Sequence, residues 1–323
     1  MKGTARLLVT VSRPEFLPAN SASLIIGLSW GLEFPLDLIW ELLIPLVLVF
    51  TTITFVSAIA AQMNTISDYE LDLTDRRKKE LTKAMHGLGD SKLKPFILIE
   101  FLSSLISLLL LILLQGKPVL ILWWIAGVFL AHSYSAPPLR LKSRGWLAVL
   151  TLLIVLSVLP VTFVYYVFNT EITRLFLLFL LGQALTVYSI IVPAEIRDFF
   201  RDKAMGVVTM TVQLGLVNAS LLGMILLSLG GALCGIGFLL KMINGLYPIF
   251  SVSLLVMIVP YIFVLRKYKE IHLLSKRYVS SEDRDSVAEK IEQISAQNPK
   301  WITLITQTIL LMSLILLVTK ILT

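Results

Sequence analysis

The chain has 323 residues, of which 57% are hydrophobic and only 15% are charged. A soluble domain usually carries about 25% charged residues, so this composition, with a mean hydropathy of +0.86, excludes an ordinary soluble protein and predicts an integral membrane protein. The net charge of +7 comes from basic clusters between apolar runs, as expected near lipid headgroups of a bilayer, and the sequence shows no motif that indicates a nucleic acid as partner.

Nine segments are apolar over a length that matches the roughly 20 residues needed to cross a bilayer. The first is the weakest, because Asn20, Ser21 and Ser23 interrupt it. We therefore expect an all-α, polytopic membrane protein with nine transmembrane helices. The nine segments lie at roughly 15–31, 38–63, 95–115, 118–136, 146–168, 173–194, 207–230, 246–265 and 301–322.

The distribution of basic residues agrees with nine crossings. With nine spans, 24 of the 28 Lys and Arg residues fall on the side of the N-terminus. Only Lys117, Arg174, Lys241 and Lys320 fall on the other side. The positive-inside rule then predicts a cell-membrane protein whose N-terminus and long loops are cytoplasmic and whose C-terminus lies on the opposite side.

Two hydrophilic segments, 64–94 and 266–300, are the largest outside the spans. The first is rich in Lys, Glu, Leu and Ala, which favours a helix that continues from span two. In the second, the run Ser280-Ser281-Glu282-Asp283 is typical of a helix start and predicts a short helix through 283–296.

We expect one membrane-embedded domain over residues 1–323, built from two similar halves. Spans two and six each end in an acidic motif, and they lie four spans apart. An even offset predicts parallel repeats, unlike the inverted repeats of many transporters. The halves would be about 12–136 and 146–265, followed by the final helix 301–322.

The first acidic motif follows span two. Asn64, Asp68 and Asp72 are spaced four residues apart, so they share one face of a helix. Carboxylates stacked in this way repel each other unless a cation lies between them. Their oxygens suit a hard cation such as Mg²⁺, which also takes phosphate oxygens as ligands.

A basic element follows span four. Pro137-Pro138 predicts the end of that span, since proline cannot donate a helix hydrogen bond. Arg140, Lys142 and Arg144 then alternate along a short connection. Ordinary positive-inside anchoring explains such a cluster, and so does a cationic wall for a diphosphate leaving group.

The second acidic motif begins at Glu195 and repeats the pair of carboxylates four residues apart, at Asp198 and Asp202. Arg197 and Arg201 form an adjacent basic stripe on the predicted helix. One such motif alone is often a solvated helix end. Two copies at equivalent ends of spans favour the binding of a metal–diphosphate complex.

Together these elements resemble the UbiA superfamily of intramembrane prenyltransferases. The resemblance rests on NxxxDxxxD, then YSAPPLRLKSRG, then DxxxD followed by Gly206-Val-Val-Thr209 and Leu214-Gly215, in the order of that family. Ser12-Arg13-Pro14 before span one also resembles it. The resemblance implies nine helices around a central cavity that cytoplasmic loops cap.

The resemblance also implies an activity and a set of site residues. Two Mg²⁺ ions would be bound through the diphosphate by Asn64, Asp68, Asp198 and Asp202, with Asp72 completing the first motif. Tyr134 would face the developing carbocation. Expected diphosphate contacts are Arg13, Arg140, Lys142, Arg144 and Lys203.

The reaction implied is transfer of an isoprenyl group, geranylgeranyl or shorter, from a prenyl diphosphate to a lipophilic acceptor. The acceptor stays open between a quinone precursor, an ether lipid, a porphyrin and a carotenoid. Two departures from the family pattern bear on this: Thr65 replaces an early Asp of the first motif, and the run after Asp72 is Thr74-Asp75-Arg76-Arg77-Lys78-Lys79.

Two other classes also fit parts of the pattern. A cation-coupled transporter would also need acidic residues in a membrane protein, but its site usually lies near the bilayer midplane, whereas these carboxylates gather at one surface. An enzyme acting on phosphatidyl headgroups, such as a CDP-alcohol transferase, would carry a dense D-D-x-x-A-R signature, which this sequence lacks.

Overall fold

The computed structural model describes residues 2–32, 39–73, 78–243 and 248–322. These ranges are almost wholly helical and contain no β-strand. The α-helices are α1 (Lys2–Val11), α2 (Leu17–Gly31), α3 (Ile39–Ser67), α4 (Tyr69–Asp72), α5 (Lys79–Gln115), α6 (Leu120–Ser135), α7 (Trp146–Leu153), α8 (Leu159–Phe168), α9 (Arg174–Ser189), α10 (Val192–Ala204), α11 (Met210–Ile243), α12 (Pro248–Ser280), α13 (Arg284–Ser295) and α14 (Asn298–Leu322).

Six helical stretches within these ranges are long and apolar enough to cross a membrane, and α6 is a shorter apolar helix. The protein is therefore a multi-pass, all-helical membrane protein, as the composition predicts. The count of nine spans stays a prediction. The six stretches are Leu42–Ser67, Ser91–Gln115, Trp146–Phe168, Arg174–Ala204, Met210–Lys241 and Arg284–Lys320.

Several predicted helix ends are confirmed. Helix α6 ends at Ser135, just before the two prolines, and Ala136 is extended. Helix α13 has Asp283 as its N-cap, whose carboxylate accepts a hydrogen bond from the Ser286 N–H at 3.3 Å. In the described part of segment 64–94, the helix of span two does not continue without a break, because α3 ends at Ser67 and α4 begins at Tyr69.

Two glycines let α2 lie directly against α8. Gly27 and Gly31 are one turn apart, and a Cβ added at Gly31 would be 2.7 Å from the Tyr165 carbonyl oxygen. A Cβ at Gly27 would be 2.5 Å from the Val164 Cβ. Small residues spaced four apart allow this close backbone approach in membrane proteins. The packing fixes the position of α8, which continues from α7 through the π-helical turn Ile154–Val158.

A glycine also kinks the long helix that follows each acidic motif. Gly89, with φ 60°, divides α5 into a short first part and the membrane-crossing part. Gly215, with φ 76°, does the same in α11. Only glycine adopts this backbone conformation without a steric cost. The two kinks therefore give both halves of the chain the same sequence of acidic motif, short helix and span.

At the end of the bundle away from the acidic motifs, two lysines cap helices. Lys117 donates hydrogen bonds from Nζ to the carbonyls of Tyr166 and Val167 at 2.9 and 2.8 Å. Lys320 donates to the Leu32 carbonyl at 2.7 Å. Because cations stabilise the carbonyl ends of helices, these contacts account for two of the four basic residues expected on that side.

Candidate active site

A polar cavity of about 750 Å³ opens where α3, α6 and α10 end. We call it the polar cavity. Both acidic motifs and the basic connection contribute to its wall, although they lie far apart in the chain. The polar residues that line it are Asn64, Ser67, Asp68, Glu70, Asp72, Lys78, Tyr134, Arg140, Lys142, Ser143, Glu195, Arg201, Asp202 and Thr209.

The first motif keeps its helical spacing beyond the end of α3. The Asp68 N–H donates to the Asn64 carbonyl at 3.0 Å, and the Asp72 N–H donates to the Asp68 carbonyl at 2.8 Å. The three side chains therefore all reach the polar cavity. Thr65 is buried and donates to the Ala61 carbonyl of its own helix at 2.9 Å, so it lies off this face.

Basic side chains neutralise Asp68. Lys142 Nζ hydrogen-bonds Asp68 and also the Asn64 Oδ1, the latter at 3.2 Å. Arg140 Nη2 lies 3.5 Å from the Asp68 Oδ1, and Ser135 Oγ donates to the Asn64 Oδ1 at 2.9 Å. Burial lowers the pKa of Lys142 below its ordinary value, and the hydrogen bond to Asp68 opposes this shift.

Asp72 is buried and only half satisfied. Its Oδ1 accepts a hydrogen bond from Lys78 Nζ at 2.7 Å, whereas its Oδ2 is buried without a hydrogen-bond partner among the described residues. Lys78 also lies within electrostatic range of Asp202. Its charge therefore acts on both acidic motifs, a role that sequence reasoning missed because Lys78 is one of four consecutive basic residues.

The second motif is divided between two environments. Asp202 lines the polar cavity, and its Oδ1 lies 3.4 Å from Arg201 Nη2. Asp198 is not among the described residues that line this cavity. It accepts two hydrogen bonds from Arg197, each of 3.0 Å, and lies 3.5 Å from Arg201.

Glu195 is a second residue that sequence reasoning missed. It lines the polar cavity from the first turn of α10. Thr211 donates to its Oε2 from Oγ1 at 2.9 Å and from N at 3.3 Å, and the Tyr188 hydroxyl donates to its Oε1 at 3.4 Å. These donors fix the carboxylate in place. The only signal in the sequence was a third acidic residue one turn before Asp198.

The other predicted basic residues lie outside the polar cavity, as far as the described residues define it. Arg13 has a left-handed backbone, contacts Glu15 at 2.7 Å and lines the apolar cavity next to the polar one. Arg144 is exposed and donates to the Pro138 carbonyl at 3.2 Å. The exposed Lys203 lies over the Phe199 ring.

A comparison with known protein families identifies the family of the chain. The model of the UbiA prenyltransferase family matches residues 22–280, which is most of the chain. The chain belongs to the UbiA prenyltransferase family. The resemblance read from the motifs is thereby confirmed, and the chain is an intramembrane prenyltransferase. The alternative of a cation-coupled transporter is wrong, because the matched family transfers prenyl groups.

Solved structures of UbiA proteins have the same fold. A UbiA homologue from Archaeoglobus fulgidus bound to GPP and Mg²⁺ is 15% identical with a TM-score of 0.64, over 93% of this chain and 99% of that chain. A digeranylgeranylglyceryl phosphate synthase is 14% identical with a TM-score of 0.63, over 97% and 99%.

An apo UbiA homologue from Aeropyrum pernix K1 is 15% identical with a TM-score of 0.59, over 88% of this chain and 97% of that chain. No curated protein matches the sequence. At these identities the likeness establishes the fold of this UbiA chain, and the role of each residue has to be argued from its own site.

The donor set of this UbiA chain fits a metal that arrives with its substrate. Among the described residues, no three His, Cys, Asp or Glu side chains are grouped so that they alone hold a metal ion. Mg²⁺ seldom needs such a cage, since it usually takes one or two carboxylates together with substrate phosphates and water. The Oδ2 of Asp72, which has no hydrogen-bond partner in the part of the chain that the structure describes, is an oxygen ligand of the required kind.

Proposed function

We propose that this UbiA protein ionises an allylic prenyl diphosphate in the polar cavity and transfers the prenyl group to a lipophilic acceptor. One observation carries the proposal: residues of both acidic motifs and of the basic connection line a single cavity. That cavity also meets an apolar one at Asn64 and Tyr134. A diphosphate head with an isoprenoid tail matches this division between polar and apolar walls.

Magnesium is the proposed cofactor, as in the Archaeoglobus fulgidus homologue that was solved with GPP and Mg²⁺. We propose two ions, held through the diphosphate by Asn64, Asp68, Asp198 and Asp202. Asp72 completes the first motif, and its Oδ2, for which the described ranges offer no hydrogen-bond partner, supports that role. Asp198 stays in the proposal because it lies one helical turn before Asp202. Its carboxylate would have to leave Arg197 and Arg201 to reach the metal.

Basic side chains would take over the charge of the leaving group. Lys142 and Arg140 already lie at the acidic face in the polar cavity, so they are the first candidates to contact the diphosphate. Arg13 approaches from the apolar side. Arg144 and Lys203 would have to change side-chain conformation to contact it. Charge-assisted hydrogen bonds of this kind are the strong ones in proteins.

The reaction divides into ionisation and capture. Bound Mg²⁺ would supply Lewis-acid stabilisation of the diphosphate oxygens. The allylic C–O bond breaks, its electron pair leaves with the diphosphate, and Lys142 and Arg140 stabilise that negative charge. Tyr134, at the junction of the polar and apolar cavities, faces the allylic cation with its ring. A nucleophilic atom of the acceptor then attacks the cation and forms the new bond, and the proton that this atom loses passes to solvent.

We also propose the arrangement of the whole chain. One domain would cross the membrane nine times, with halves of about 12–136 and 146–265 and a final helix at 301–322. The matching kinks at Gly89 and Gly215 after the two acidic motifs support the repeat. The excess of basic residues at the acidic end supports a cytoplasmic active site.

The test uses purified full-length protein with Mg²⁺ and labelled geranylgeranyl and farnesyl diphosphates, and it measures diphosphate release. Asp68→Asn and Asp202→Asn should each lower the rate at least about 100-fold, in the range found when charge-stabilising groups are removed from active sites. Asp285→Asn, on the exposed side of α13, is the matched control and should keep the wild-type rate. Diphosphate release at close to the wild-type rate in both site variants would contradict the proposal.

A further inference from the structure

The apolar cavity next to the polar cavity continues into a second one. The first of these, which we call the middle cavity, has a volume of about 260 Å³ and shares Asn64, Tyr134 and Leu152 with the polar cavity. The next, which we call the lower cavity, measures about 70 Å³. It shares five residues with the middle cavity, namely Ser57, Ala60, Ala131, Val155 and Pro160.

All three surrounding helices place these cavities in the same order. Along α3 the wall passes from Asn64 to Ser57 and then to Thr52, and along α6 it passes from Tyr134 to Trp123. Along the segment α7–α8, which runs in the opposite direction, the numbers rise from Leu152 to Phe163. The three cavities therefore form one channel that leads away from the acidic motifs.

Below the polar groups at its upper end, the wall of this channel is mostly carbon, and three of its hydroxyl groups donate hydrogen bonds within the protein. Ser57 donates to the Asn20 Oδ1 at 3.0 Å, and Thr52 donates to the Leu48 carbonyl at 2.8 Å. Thr151 donates to the Leu147 carbonyl at 2.7 Å. An occupant without hydrogen-bonding groups along its length, such as an isoprenoid chain, is what such a wall accepts.

Two tryptophans line the far end of the channel. Trp123 donates from Nε1 to Thr162 at 3.0 Å and stacks on Tyr166, and Trp124 donates from Nε1 to Ser104 at 3.2 Å. Both pack on a buried cluster that includes Phe163, Leu120 and Leu108. Because their rings are held by hydrogen bonds and by this cluster, the base of the channel is fixed.

The length of the channel follows from helix geometry. Twelve residues separate Asn64 from Thr52, and eleven separate both Tyr134 from Trp123 and Leu152 from Phe163. At a rise of about 1.5 Å per residue, each helix gives a depth of about 17–18 Å. An extended isoprene unit has four chain carbons and is about 5 Å long, given carbon–carbon bonds of about 1.5 Å.

We propose that this channel selects a prenyl donor of three or four isoprene units and that Trp123 and Trp124 set the limit. Three extended units span about 15 Å and four about 20 Å, which bending about the single bonds shortens to the available depth. Six units, about 30 Å, exceed it. The inference rests on the proposed function and adds the length of its substrate.

Gly127 offers a way to shorten the channel without touching the base. It lines the lower cavity, and a Cβ added there would meet only the Val56 Cγ1, at an ordinary 3.7 Å. Alanine is therefore accommodated, whereas the side chain of leucine would occupy the space between Ala131 and the two tryptophans. The pair Gly127→Ala and Gly127→Leu forms a graded series at one position.

The experiment measures equilibrium binding of geranyl, farnesyl, geranylgeranyl and hexaprenyl diphosphates, with Mg²⁺, to the full chain in lipid nanodiscs. In the wild type, geranylgeranyl should bind at least about tenfold more tightly than geranyl, since added methylene groups are buried. Hexaprenyl should bind at least about tenfold more weakly than geranylgeranyl.

Gly127→Leu should shift the length preference towards shorter donors, and Trp124→Ala should shift it towards longer ones. Gly127→Leu should lower the ratio of geranylgeranyl to geranyl affinity at least about tenfold, with Gly127→Ala in between. Trp124→Ala should raise the relative affinity for hexaprenyl. Phe129→Ala, which removes an exposed aromatic ring from the same helix, is the control and should leave all ratios unchanged.

The outcomes separate the two proposals. If no prenyl diphosphate binds to the wild type with Mg²⁺, the proposed function fails. If all bind but neither Gly127→Leu nor Trp124→Ala changes the length preference, the channel assignment is overturned while the function stands. Binding of geranyl diphosphate also reports folding of each variant, and Gly127→Ala with Trp124→Ala keeps the test decisive if Gly127→Leu does not fold.

Discussion

At the scale of single residues, position in the basic connection decides which cations can act. Arg140, Lys142 and Arg144 alternate in the sequence, but a turn of 3₁₀-helix over Leu141–Ser143 directs them differently. Lys142 turns inward to Asp68 and Asn64, whereas Arg144 is exposed. A cluster that looks uniform in the sequence thus contains one partly buried cation, one at the rim and one outside the polar cavity.

This difference predicts unequal effects of removing the two charges. Lys142→Met should weaken Mg²⁺-dependent binding of geranylgeranyl diphosphate by about 10- to 100-fold, because hydrogen bonds to charged groups contribute roughly 1.5–3 kcal/mol. Arg144→Met is the matched control from the same loop and should change affinity less than about threefold. Equal losses in both variants would contradict the orientation described for this loop.

At the scale of helices, close packing of α2 on α8 supports the wall of the site. Gly27 and Gly31 bring α2 against Val164 and Tyr165. Helix α8 follows the π-helical turn Ile154–Val158, which contributes Val155 to the channel. A change in the distance between α2 and α8 would therefore alter the channel, because α8 and the π-helical turn form one continuous backbone.

Replacing one glycine tests this packing. Gly27→Ala should destabilise the protein by about 1–3 kcal/mol, the usual cost of overpacking, and lower its Tm in detergent. Gly235→Ala is the matched control in α11, since a Cβ there meets nothing within 4 Å, and its Tm should stay the same or rise slightly because alanine favours helix. A Tm for Gly27→Ala at or above the wild-type value would argue against a tight α2–α8 contact.

At the scale of the whole molecule, the two ends of the bundle differ in chemistry. One end carries the acidic motifs, the basic connection and the polar cavity. At the other end, Lys117 and Lys320 donate hydrogen bonds to backbone carbonyl oxygens. Since the excess of basic residues marks the cytoplasmic side, the polar cavity should open to the cytoplasm.

Cysteine labelling tests this orientation in intact cells. Cys234 is buried, so background labelling should be low. Glu171→Cys, at the end that carries Lys117, should react with a membrane-impermeant maleimide added outside. Ser281→Cys, in the turn before α13, should react only after the cells are opened. The reverse pattern would overturn the proposed sidedness, and labelling of both from outside would contradict the positions of the two segments.

The sequence by itself determined what depends on local periodicity and composition. Long apolar runs specify membrane helices wherever they fold, and residues four apart share a helix face, so the alignment of Asn64, Asp68 and Asp72 followed directly. The N-cap at Asp283 and the end of α6 before Pro137 are local as well. The order of the motifs was enough to find the family.

Only the tertiary structure decided which distant residues meet. Glu195 contacts Thr211, sixteen positions later, Lys78 reaches Asp72 and the surroundings of Asp202, and Asp198 lies among arginines rather than on the cavity wall. The channel that ends at Trp123 and Trp124 needs three helices packed side by side. Such contacts depend on how helices pack against one another, which periodicity within a single helix does not specify.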